Sequence, residues 1–228
     1  MIPLYDLNPK QKRPYVTYLI ILINVLVYFW ESIGSKARYE GIVYEYGFVP
    51  ARFQANPVIG SLNILTSMFL HGSIYHLGGN MWFLFVFGDN VEDKLGRLKY
   101  ILLYLLSGVG ASFIHFLFNI NSSIPAIGAS GAISGVLAAY FILSPDAIVY
   151  SLIIGYWVWL RPIRAAWFLG LWFIYQLLYA LLGISLGIAY WAHVGGFLMG
   201  LLLTFVWKRS MKKVYRYYYE QGIPYVYT

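Results

Sequence analysis

Residues 127–136 read IGASGAISGV, ten positions that hold three glycines, two alanines and two serines. The chain around them is apolar and aromatic. Of its 228 residues, 60% are hydrophobic and only 11% charged, and the mean hydropathy is +0.65. A soluble domain carries roughly twice that share of charge, and a chain of this length cannot hide so much apolar surface in one core. The composition therefore predicts an integral membrane protein. Apolar runs continue for about 20 residues, as crossing helices do, whereas barrel strands alternate in segments of about 10. A small-residue helix in such a chain has two readings: a site of close helix packing, or the seat of a reactive serine.

Working outward from that helix, six spans can be drawn, so the predicted fold is all-α: a polytopic membrane protein with a compact six-helix bundle. The small-residue helix covers Ser130–Leu143 and is stopped by Ser144-Pro145, since proline cannot continue a helix. The other spans cover 15–33, 76–88 (extended backwards by ILTSMFL at 64–70), 100–118, 165–182 and 190–207. The apolar run 147–160, interrupted by Gly155 and followed by Pro162, reads as an interfacial or re-entrant segment. The connection over 34–65 is long enough to carry its own structure or a function. The expected organisation is an N-terminal cytoplasmic segment (1–14), a membrane domain (15–207) and a basic, aromatic cytoplasmic tail (208–228) anchored at the interface.

Lysine and arginine set the orientation. One side holds Lys10, Lys12, Arg13, Lys94, Arg97, Lys99, Arg161, Arg164, Lys208, Arg209, Lys212, Lys213 and Arg216; the other holds Lys36, Arg38 and Arg52. The positive-inside rule then predicts a multi-pass protein of the cell membrane with both termini cytoplasmic. The net charge of +7 abuts the spans, so it reads as anchoring to anionic lipid and not as a nucleic-acid surface. The first apolar run is long and lacks a small-residue cleavage site, so no cleavable signal peptide is expected. With no cysteine, disulfides, zinc-thiolate sites and cysteine nucleophiles are excluded.

A polar side chain within a span is costly, so it faces the interior and finds a partner. His76 and Asn80, four apart in HLGGN, share one helix face. Ser130 opens the fourth span and His193 lies near the start of the sixth. All three helices enter from the outer side, so these residues fall at one depth. Serine is a weak nucleophile until a base takes its proton, and histidine is the usual base. His76, Asn80 and the backbone amide of Ser130 are donors suited to an oxyanion. None of the nine acids falls at this depth by the span assignment, which points to a dyad. Gly128, Gly131 and Gly135, answered by Gly196 and Gly200 on the last span, would set the helix separation that a Ser–His hydrogen bond needs. Ser134 reads as a packing residue, His71 as a loop anchor and His115 as a core histidine. No metal site or cofactor is expected.

With these residues in view, the sequence resembles the rhomboid family of intramembrane serine proteases over about 65–203. The motifs are Gly128-Ala129-Ser130-Gly131, His76 to Asn80, and Ala192-His193-Val194-Gly195-Gly196. The resemblance implies that Ser130 is the nucleophile, His193 the base, and His76 and Asn80 the oxyanion side chains. It also implies that transmembrane proteins are the substrates. Two positions depart from the family pattern. The stretch Glu92-Asp93-Lys94-Leu95-Gly96 has lysine where arginine is common, a structural position. Ser134 stands where some members stack an aromatic ring on the histidine, so His193 needs support from elsewhere. The alternative reading is a non-catalytic rhomboid-like protein that binds or displaces membrane clients.

Overall fold

The apolar run after Pro14 forms helix α1 (Tyr15–Ser32). The computed structural model describes residues 1–8 and 11–220, with 209–220 as backbone alone; Lys10 and the end of the expected tail (208–228) lie outside the described residues. The long connection after α1 does carry its own structure: short helices α2 (Lys36–Tyr46), α3 (Pro50–Ala55) and α4 (Pro57–Ser67). Proline opens α3 and α4, where its missing N–H and fixed φ cost nothing.

The segment 64–70 does not extend the second span backwards, as the sequence suggested. Its first residues end α4, and the chain then breaks at 68–73 before α5 (Ile74–Leu95). Ser73 causes the break by capping α5, its Oγ accepting the His76 N–H at 3.1 Å. A single glycine, Gly96 at φ +75, separates α5 from α6 (Arg97–Phe118). Then follow α7 (Ser130–Leu143), with the bounds read from sequence, α8 (Ala165–Leu181) and α9 (Tyr190–Glu220), which runs well past the expected end at 207. Among the described residues, three helices are long and apolar enough to cross a membrane: α1, α6 and α9 over Tyr190–Lys208; α7 and α8 are shorter apolar helices.

The chain is mostly helical but not all-α. Strands β1 (Ile2–Asp6), β2 (Ile148–Ile154) and β3 (Val158–Arg164) form an antiparallel sheet in the order β1-β2-β3. The run 147–160 is thus a hairpin, with Ile154 paired to Val158 and Ile2 of the N-terminal segment paired to Leu152. The β-branched and aromatic content of IVYSLII and VWLRPIR suits a pleated surface. Pro3 and Pro162 both lie in edge strands, where a missing N–H breaks no ladder. Val149 and Ser151 of the central strand face inward and are fully buried.

At the centre of the bundle is α7, buried continuously from Gly131 to Tyr140. Its contact with α9 runs backbone to backbone: a Cβ on Gly196 would fall on the Gly131 carbonyl, and one on Gly200 on the Gly135 carbonyl. At the C-terminal end of α7, three consecutive charged residues tie separate elements. Glu92 accepts from Val16 N (3.0 Å), Thr17 N (2.8 Å) and Thr17 Oγ1 (2.8 Å), so it satisfies the first turn of α1 at its positive end. Asp93 accepts from the amides of Gln11 and Lys12, each at 3.0 Å. Lys94 Nζ donates to Leu143 O at 3.0 Å and Ser144 Oγ at 2.7 Å, closing the end of α7.

Candidate active site

Ser130 is the first residue of α7, and the chain enters it through Gly128 at φ +122, a conformation that favours glycine. This approach is laced to the connection before α5. Gly128 N donates to Ser67 O at 2.9 Å, while Phe48 and Ala126 exchange backbone hydrogen bonds of 3.1 and 2.8 Å. The position of Ser130 is therefore set by backbone on both sides.

His193 lies in the first turn of α9, and its Nε2 is 2.7 Å from Ser130 Oγ. The other ring nitrogen, Nδ1, lies 2.8 Å from Gln176 Oε1 on α8. Trp172, one turn before Gln176, stacks on the imidazole with centroids 6.1 Å apart and planes at 26°, and Tyr190 meets it edge-on at 6.3 Å. Ser134 turns away: its Oγ donates to Ser130 O at 2.7 Å, a bond back along its own helix.

His76 and Asn80 point at Gly128 from α5. A Cβ built on Gly128 would lie 2.8 Å from His76 Nε2 and 3.6 Å from Asn80 Nδ2. His76 Nδ1 accepts from Gly72 N at 3.2 Å, so the neutral ring carries its proton on Nε2, the nitrogen facing the site. Asn80 is buried, and its Nδ2 has no partner among the described residues. The amides that open α7 lack intrahelical acceptors. A cavity of about 30 Å³ beside Ser130 is lined by Ser67, Ser112, Gly128 and Ala192, enough for a water or a small side chain. The four residues singled out from sequence are thus brought together around one point. A hydroxyl facing an imidazole nitrogen, with the His76 and Asn80 side chains aimed at Gly128 two residues before it, is an arrangement that acyl transfer through a serine can use.

Two features differ from the expectation. Glu31, at the end of α1, is fully buried and reaches the loop before α5, where no acid was expected; its Oε1 accepts the His71 N–H at 2.9 Å. It contacts neither Ser130 nor His193, so it makes no third member of a triad. His71 does anchor its loop: its Nδ1 lies 3.2 Å from Phe69 O, and its ring meets that of His76 at 5.1 Å. Burial, helped by neighbouring His76, pushes the His71 imidazole down to about 4. His115 is half-buried, with Nδ1 3.4 Å from Asn119 Nδ2. Gln176 was missed. Its signal was present, since it is the one polar side chain of α8 apart from tyrosine and tryptophan, and a polar group in an apolar helix faces a partner.

The rhomboid domain model matches residues 60–210, which contain Ser130, His193, Gln176, His76 and Asn80. Rhomboid-like protein 11, chloroplastic, of Arabidopsis thaliana is 32% identical over 169 residues, covering 71% of this chain and 55% of its own. Rhomboid protein 1, mitochondrial, of Saccharomyces cerevisiae is 28% identical over 92% of this chain and 57% of its own. Rhomboid protease GluP of Bacillus subtilis is 32% identical over 56% of this chain and 24% of its own. The chain spans about half or less of the length of several relatives it matches. A helical membrane bundle with these motifs, matched over this length, belongs to the rhomboid family.

Proposed function

We propose that the chain is an intramembrane serine endopeptidase that cleaves transmembrane proteins through an acyl-enzyme. The 2.7 Å hydrogen bond between Ser130 Oγ and His193 Nε2 carries this reading. Ser130 attacks the scissile carbonyl while His193 takes its proton. The tetrahedral oxyanion is met by the Ser130 amide and the side chains of His76 and Asn80. On collapse, His193 returns the proton to the departing amine and acyl-Ser130 remains; a water deprotonated by His193 then releases the product. The spans are α1 and α5 to α9, in the cell membrane, with both termini cytoplasmic and the site opening at the outer end. The segments 1–14 and 208–228 flank this membrane domain on the cytoplasmic side.

The reading is tested by cleavage of a single-span substrate in proteoliposomes, comparing wild type with Ser130→Ala and His193→Ala. Both variants are expected to fold normally and to lose cleavage. Persistent cleavage by Ser130→Ala would remove the assigned nucleophile. Failure of every form on a panel of substrates would favour the non-catalytic client-binding alternative.

A further inference from the structure

We propose that Gln176 is a positioning residue that fixes the tautomer of His193, and with it the basic nitrogen facing Ser130. The proposal rests on the serine-peptidase reading above.

A neutral imidazole has one nitrogen that donates and one that accepts. The carboxamide oxygen of Gln176 can only accept, and it lies 2.8 Å from Nδ1. With the amide so turned, Nδ1 carries the proton. Nε2 is left bare at 2.7 Å from Ser130 Oγ, ready to take the hydroxyl proton. With the opposite tautomer Nε2 would donate to the serine, and no base would face it.

Gln176 is held for this task. It is 5% exposed, and a buried amide is costly unless it is hydrogen-bonded. Trp172 lies one turn earlier on the same helix face and covers the imidazole plane while Gln176 holds its edge. Ser134, on α7, bonds to its own helix and does not touch the ring. The support of His193 thus comes from α8, and two residues four apart provide both its orientation and its protonation pattern. The acceptor is neutral, so it selects the tautomer without adding a buried charge.

The test is nitrogen-15 histidine spectroscopy of the full-length protein, with long-range proton–nitrogen correlations that report which ring nitrogen of His193 carries the proton. It is combined with turnover of wild type, Gln176→Leu and Gln176→Glu. In the wild type the proton is expected on Nδ1; a proton on Nε2 overturns the proposal, even if no variant folds. Gln176→Leu, similar in size but lacking an acceptor, is expected to mix the tautomers and to lower kcat about ten- to hundredfold with little change in KM. Gln176→Glu, which keeps an oxygen acceptor, is expected to recover most of that loss. An unchanged tautomer or an unchanged kcat in Gln176→Leu also overturns it. If the wild type cleaves nothing, the peptidase reading fails by itself, because the tautomer is read without a substrate.

Discussion

The two ends of α7 differ in what their charged and catalytic-type side chains bond to, although a buried hydroxyl, Ser151 Oγ, lacks a partner among the described residues beyond the C-terminal end too. At its C-terminal end, Glu92, Asp93 and Lys94 are spent on holding α1, the chain before it and the end of α7 together. At its N-terminal end, buried polar atoms are left without partners among the described residues: Asn80 Nδ2, His71 Nε2 and Glu31 Oε2. A buried donor that bonds nothing weakens the fold. It persists where it serves something that arrives later, such as a developing oxyanion. If the proposed chemistry holds, one end is a joint and the other a receptor, and substitutions at the two ends should separate stability from chemistry.

The largest effect is expected at the receptor end. Asn80→Leu should lower kcat about a hundred- to a thousandfold, the usual loss for an oxyanion donor. Its unfolding temperature should stay the same or rise, because an unpaired buried amide is removed. A parallel fall in stability would show that Asn80 belongs to the joint. Glu92→Ala should do the reverse. It leaves the buried amides of Val16 and Thr17 unpaired and should cost about 2–3 kcal/mol of stability. Turnover per folded molecule, normalised by a serine-reactive probe, should be unchanged.

The smallest effect depends on pH. His71 is held near 4, below its ordinary value of 6.5, so unfolding takes up a proton between these two values. Its contribution to stability is whole above about pH 6.5 and is lost as pH falls towards 4, on the order of 3 kcal/mol over the full range, with little of the loss near neutral pH. His71→Asn should flatten unfolding midpoints measured across that range relative to wild type. An unchanged slope would show that other groups set the acid response.

Legibility from sequence followed the range of the interactions. The bounds of α7 were readable because glycines and a proline frame an unbroken apolar run. Ser130, His193, His76 and Asn80 stood out because polar side chains are conspicuous in apolar spans. Glu31 was misplaced because its partner is a backbone N–H, and any loop offers one. The sheet was hidden because a short run, apolar but for Ser151, carries no period that separates a strand from a buried helix, and because one of the two partners of β2 lies at the other end of the chain. Gln176 needed only the rule already applied to the histidines.

That distant pairing has a consequence for the order of assembly. Ile2 pairs with Leu152, so β1 leaves the ribosome long before its partner is made. At ordinary rates of synthesis the wait is roughly ten to thirty seconds. During that time an apolar strand with unfilled backbone donors and acceptors is open to the wrong neighbour. Pro3 removes one of those donors near the start of the strand, and Asp6 places a carboxylate at its end. Strand β1 is thus made early and locked only after four of the six proposed spans (α1, α5, α6 and α7) have begun to assemble around the place it will fill.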